Sequence, residues 1–159
     1  MNAMTIPIEF TVLGNPSSVN STSGKKAAWK TLVEAAAKGA VALHYPGKAK
    51  SIAALTVKVF YFPINQQYID IDNGLKHTID GLATAIFEND KAVTRIITER
   101  FPPVPKASLL VPIGFAREIS NALMIANGAG NSATGAPLPK QHATAVKVEP
   151  YVDSNGKFW

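Results

Sequence analysis

The chain alternates two hydrophobic periods in an order that few folds accommodate. Residues 6–12 put Ile6, Ile8, Phe10 and Val12 on one side and Pro7, Glu9 and Thr11 on the other. That is the period of two of a half-buried strand. Pro7 has no amide proton to donate, which suggests a sheet edge. A polar loop, GNPSSVNSTSG (14–24), follows. KKAAWKTLVEAAAKGAVALH (25–44) is Ala-rich, with Trp29, Leu32, Val33 and Ala36 at helical spacing, and YPGK ends it. IAALTVKVFYF (52–62) is β-branched and aromatic and reads as a second strand.

From Asn73 to Ile86 the pattern turns helical, with Leu75, Ile79, Leu82 and Ile86 in one stripe. KAVTRIITERF (91–101) reads as a third strand, residues 115–126 as a helix and residues 143–152 as a last strand. NGAGNSATGAPLPKQ (127–141) is low in complexity and expected to be mobile. The order predicts an α/β (α+β) architecture: a small mixed sheet of about four strands packed with two main helices. One domain over 1–159 is expected, with 102–141 as a C-terminal insertion.

Composition narrows the chemistry. At 159 residues, 47% hydrophobic and 17% charged, the chain can bury a real core. With no cysteine, disulfides, thiolate metal sites and cysteine nucleophiles are excluded. His44, His77 and His142 lack metal-ligand spacing and read as surface or core residues. Trp29 reads as core, not as a platform for stacking bases. SGKK is not a phosphate-binding loop, because Val19 and Lys26 stand where that pattern needs Gly and Ser or Thr. MNAMTIPIEF has no signal-peptide pattern and no run spans a membrane, so a cytoplasmic location is expected. A net charge of +5 favours an acidic partner, nucleic acid being the commonest. Lys25, Lys26, Lys30, Lys91 and Arg95 are the basic candidates for phosphate contacts; for the first three, a solvated helix start is an equal reading.

Against that charge, YIDIDNGLK (68–76) is out of place. Of eleven carboxylate side chains, five fall within residues 70–90: Asp70, Asp72, Asp80, Glu88 and Asp90. A hard cation is one reason for such clustering. Mg²⁺ prefers oxygen ligands, takes few protein carboxylates and keeps waters. Those waters suit phosphodiester hydrolysis. Lys76 lies one turn after Asp72 on the same helix face, placed to stabilise a pentacovalent phosphate. Asp90 joins Asp70 and Asp72 only if the chain after the helix runs back along the sheet, or if two copies pack together. Each residue also has a plainer reading. Asp72 alone reads as a helix N-cap. Asp80 reads as the salt-bridge partner of Lys76, Glu88 and Asp90 as turn residues, and Lys76 as one more solvated lysine.

The spaced motif DIDNGLKHTIDGL, followed by FENDKAV, resembles the signature of the RusA family of Holliday-junction resolvases. Members show Asp-x-Asp-Asn, a lysine three residues beyond the Asn, an Asp four beyond that, and an acidic pair before a strand. Here these positions are Asp70, Asp72, Asn73, Lys76, Asp80 and Asp90. The loop from Pro16 to Asn20 resembles the family's Pro-rich loop. The likeness covers about residues 5–101 and the final strand.

It implies a RusA-like fold and a homodimeric, Mg²⁺-dependent endonuclease, with Mn²⁺ as the alternative ion and no small-molecule cofactor. Its substrate would be four-way DNA junctions, resolved by paired cuts in recombination and repair, in a bacterial or prophage setting. It also implies metal ligation by Asp70, Asp72 and Asp90 and a catalytic role for Lys76. Two departures stand out: Asn89 replaces the first acid of the pair, and NQQYI before Asp70 lacks the family's arginines. A non-catalytic DNA-binding relative, and a nuclease for other branched DNA, are the alternatives.

Overall fold

A computed structural model describes residues 3–4, 6–16, 22–65, 71–101, 116–126, 128, 135–136 and 139–152. Four strands, β1 (Ile8–Leu13), β2 (Leu55–Phe62), β3 (Val93–Arg100) and β4 (Ala143–Pro150), form one sheet in the order β1-β4-β2-β3. The pairings of β4 are antiparallel and that of β2 with β3 is parallel, so the sheet is mixed, as its pattern predicts. β1 pairs only with β4, which makes it the edge strand that Pro7 indicated.

Three helices cover the sheet: α1 (Ser23–His44), α2 (Ile71–Ala83) and α3 (Ala116–Ala126). α1 starts at Thr22, whose hydroxyl accepts from the Lys25 amide, and ends where the Tyr45 amide bonds the Val41 carbonyl. Gly47 takes the turn after it with φ of 70°, a left-handed value that suits glycine. α2 begins two residues earlier than its apolar stripe suggests, which puts Asp72 inside the first turn and not at the cap.

The period-two alternation of the strands sorts the core into two layers. Leu55, Val57, Val59 and Tyr61 of β2, with Ile8, Phe10, Val12, Val146 and Val148, face α1 and α2. Phe60 and Phe62, with Phe101, Ala143 and Ala145, face α3 through Ile119, Ala122 and Ala126. Phe62 and Phe101 stack at 4.8 Å. α3, within the segment expected to be an insertion, thus closes the second face of the sheet. Several residues of the segment expected to be mobile (127, 129–134 and 137–138) lie outside the described residues.

α1 and α2 run side by side in the same direction. Both are antiparallel to β2 and meet without a spacer at Gly81. A Cβ there would lie 2.8 Å from the Cβ and Cγ1 of Val33 and 3.0 Å from the Lys30 carbonyl. Gly81→Ala is therefore expected to lower stability by roughly 1–3 kcal/mol by forcing the helices apart. Denaturant unfolding of the variant checks this.

Deeper in the same layer, Thr78 bonds three elements. Its hydroxyl donates to the Gly74 carbonyl at 3.0 Å and accepts from Trp29 Nε1–H at 3.1 Å. The Tyr61 hydroxyl, 3.3 Å away, is then the donor of the third bond. Burial pushes the Tyr61 phenol up to about 12, so it keeps its proton. Trp29 is core, as its spacing indicated. With Gly74, Thr78 and Leu82 turned inward, residues 72 and 76 of α2 are turned to solvent.

On the α3 side of the sheet, Glu149 bonds Lys58 at 2.6 Å and Lys147 at 3.2 Å. Burial pushes its carboxyl up, but the bonds from Lys58 and Lys147 and their charges outweigh burial and hold it below the usual range. A depressed folded value means that the stabilisation is complete above the unfolded value and is lost as pH falls through the folded one. The melting temperature is expected to fall more steeply from about pH 5 to 3 in the native chain than in Glu149→Gln. Equal pH profiles in thermal melts would remove Glu149 from this account.

Candidate functional site

α2 connects the two ends of the sheet, and so sets where each candidate residue lies. Lys50 Nζ donates to the Ala83 carbonyl at 3.0 Å, and the Ser51 amide to the Ile86 carbonyl at 2.8 Å. The tail of α2 therefore lies beside the start of β2. The Tyr61–Thr78 bond places the middle of α2 level with the end of β2. Its first turn, with Asp72, stands beyond that end.

Asp72 and Lys76 are both exposed, one turn apart on one face of α2. A carboxylate in the first turn is favoured there by the helix dipole. Lys76 and Asp80 do not form the ion pair that their spacing suggested: among the described residues the ion pairs are Lys38–Glu34, Lys58–Glu149 and Lys147–Glu149. Asp70 lies outside the described residues.

Asp90 lies elsewhere. It opens a 3-10 turn (Asp90–Ala92) leading into β3, and Val93 pairs with Leu55 at the start of β2. From Asp72 to Ala83 alone, α2 covers roughly 16 Å at its rise of about 1.5 Å per residue. Asp72 and Asp90 thus sit at opposite ends of the sheet in one chain, so the chain does not run back to bring them together. Among the described residues no three potential ligands converge. Asn89 caps the 3-10 turn, with its Oδ1 accepting from the Lys91 amide at 3.0 Å, a bond that suits Asn at an N-cap.

The basic candidates divide in the same way. Trp29 bonds Thr78, and a Cβ on Gly14, just past the end of β1, would meet Leu32 at 2.8 Å. The start of α1 is therefore at the Asp72 end, and Lys25 and Lys26 are there with it, whereas the Lys30 carbonyl lies level with Gly81, near the tail of α2. Lys91 and Arg95 are at the Asp90 end. Arg95 lies 4.9 Å over the Tyr151 ring and donates to the Val152 carbonyl at 3.4 Å, so its guanidinium is partly engaged within the fold.

The end of the sheet with the first turn of α2 thus carries an exposed carboxylate and lysine, with Lys25 and Lys26 at the start of α1. That set can bind a polyanion and offer hard oxygen to a divalent cation. The other end carries Asp90, Lys91 and Arg95.

His142 and Arg100 also stand at the Asp72 end, where no spacing in the sequence marked them. The His142 carbonyl accepts from the Gly14 amide at 2.9 Å, and its Nδ1 from the Ile64 amide at 3.3 Å. No helix of the described residues is long and apolar enough to cross a membrane. A family model described as "Endodeoxyribonuclease RusA" matches residues 14–109, more than half of the chain, including β2, α2 and β3. No curated protein matches the sequence.

Proposed function

This chain belongs to the RusA family of endodeoxyribonucleases, hydrolases of DNA phosphodiester bonds whose members resolve Holliday junctions. From that premise we propose that it is a Mg²⁺-dependent resolvase of four-way junctions, acting as a homodimer in recombination and repair. The observation that carries the proposal is the joint placement of Asp72 and Lys76 on one exposed face of α2, at the end of the sheet where α1 starts with Lys25 and Lys26.

The ion would be held by Asp70 and Asp72, with Asp90 supplied by the partner subunit, since one chain keeps Asp72 and Asp90 at opposite ends of α2. The donors present are carboxylates, which suit a hard cation and not a soft one. Mg²⁺, when bound, would lower the pKa of a water and screen the phosphate charge. In the reaction a water oxygen bonds to phosphorus, the bond from phosphorus to one sugar oxygen breaks, and that oxygen takes up a proton. Lys76 acts on the negative charge that builds on the phosphoryl oxygens in between.

A four-way junction offers two opposed strands, and the sequence carries a single acidic window, residues 70–90. A two-fold dimer supplies two identical sites related by an axis like that of the junction.

Incubating the protein with an end-labelled four-way junction, with and without Mg²⁺, tests the proposal. Symmetric nicks that need Mg²⁺ are expected. Cleavage of flaps or forks alone would reassign the substrate within branched DNA. Binding without cleavage would mark a non-catalytic relative, in which Asn89 is only a cap.

A further inference from the structure

The sheet has two open edges, and only one of them can bring Asp72 of one copy to Asp90 of another. Among the described residues β1 pairs only with β4, and β3 only with β2. A second copy added antiparallel at either edge turns its Asp72 end toward the Asp90 end of the first. Lateral distance decides between the edges. Through β1, the β2 strand beyond which Asp72 stands is six strand spacings from β3 of the partner, about 29 Å. Through β3 it is two spacings away, about 10 Å.

The edge of β3 suits pairing. VTRIITER holds no proline and no lysine, the residues that commonly block an edge. The Phe101 amide bonds the Tyr61 carbonyl of β2. Peptide groups alternate along a strand, so those of Ile96 and Thr98 point away from β2. Ile96, next to Val57 on the α2 side, is 44% exposed.

One self-pairing register matches charge. A two-fold axis normal to the sheet keeps every side chain on its own face, so residues lie across from residues of the same parity. With the axis at Ile97, Arg95 lies across from the partner's Glu99, Glu99 across from the partner's Arg95, and Ile97 across from its own copy. Arg95 keeps its contacts with Tyr151 and Val152, and Glu99 is exposed. An axis at Ile96 or Thr98 instead sets both charges across from apolar residues.

The same register levels the carboxylates. Tyr61 pairs with Arg100 and bonds Thr78. Arg100 is three strand residues from Ile97, about 10 Å, and Asp72 is six helical residues beyond Thr78, about 9 Å, so Asp72 stands roughly 19 Å along the sheet from the axis. Asp90, four strand residues and a 3-10 turn before Ile97, stands roughly 19 Å from the axis in the opposite direction. The two-fold brings the one level with the other.

We infer that two copies of the chain join through the free edges of β3, antiparallel and centred on Ile97, in one eight-stranded sheet with a composite carboxylate site at each end of the seam. The inference rests on the reading of the chain as a dimeric nuclease and adds to it the surface that joins the copies.

The native chain has no cysteine, so an introduced one reports on the seam. At an antiparallel position without mutual hydrogen bonds the two Ile97 Cα atoms lie about 4.5 Å apart, within reach of a disulfide. Ile97→Cys, oxidised without DNA, is expected to form several-fold more covalent dimer than Leu43→Cys, which is exposed on α1 and sets the level of chance collision. The second measurement is sedimentation of charge variants that fold by circular dichroism. Arg95→Glu sets Glu against Glu twice, and Glu99→Arg sets Arg against Arg twice, so each alone should dimerise roughly tenfold more weakly or worse. Mixed, the two restore both opposite-charge pairs and should form a heterodimer with near-native affinity.

Ile97→Cys that stays at the Leu43→Cys level while the native chain is a dimer would overturn the inference and leave the nuclease reading standing. Charge variants that each dimerise as the native chain does would overturn the register. A native chain that makes paired cuts as a monomer would overturn the dimer reading and this inference with it.

Discussion

Asp72→Asn and Asp90→Asn are each expected to abolish junction cleavage, by on the order of 10³ or more, while folding and junction binding persist. Asp70→Asn is expected to behave alike. Removing a carboxylate removes a metal ligand and also removes repulsion from DNA phosphates, so affinity should hold or rise. What makes the pair informative is the distance between Asp72 and Asp90 in one chain.

If each site takes Asp72 from one protomer and Asp90 from its partner, the two dead variants complement each other. A mixed dimer of Asp72→Asn with Asp90→Asn holds one site with both changes and one with neither. Mixed in equal amounts and re-equilibrated at random, they should regain single-strand nicking at about one quarter of the native dimers' site content. Sites built within one chain would stay dead in every mixture. Native turnover in either single variant would remove that residue from the metal site.

Lys76→Ala is the second large effect. The ammonium stands one turn from Asp72 on an exposed helix face, with no ion pair to Asp80. A group that acts on charge developed during the reaction affects the rate and not the ground state. The cleavage rate under single turnover is expected to fall by about 10² to 10³, with Kd for the junction and the Mg²⁺ concentration for half-activity nearly unchanged. Lys76→Arg is not expected to restore the rate, because a planar guanidinium does not replace a compact ammonium. A rate loss matched by an equal loss of affinity would make Lys76 a DNA-binding lysine. An unchanged rate would make it a surface residue.

Much of the site's chemistry is legible in the amino-acid order alone. The lysine at i+4 from Asp72 is a local signal that survives folding, since both stand exposed on one face of α2; the acidic window is legible as a pattern, but within one chain its Asp72 and Asp90 lie apart. Other local readings did not. Asp72 is inside the first turn and not at the cap, since α2 spans Ile71–Ala83. The i+4 spacing of Lys76 and Asp80 made a pair possible, but such exposed pairs gain little and need not form. His142 gave no sign of a role because its partners, the amides of Gly14 and Ile64, are far away in the chain.

The sequence by itself determined the elements and their faces. A period of two or 3.6 is a local property, and burial of one face then fixes which residues point inward, as for Val57, Val59, Trp29 and Leu82. It also determined that the sheet needs cover and that carboxylates, not thiolates, are the metal donors on offer. The tertiary structure alone decided strand order, strand direction and the role of α3. Alternation is the same in parallel and antiparallel strands, so nothing in KAVTRIITERF says that it lies parallel to β2. That one choice sends the chain through α2 back to the start of β2. It puts Asp90 at the far end of the sheet from Asp72, and it is the physical reason that the proposed metal site, if it uses both, would draw on a second copy of the chain.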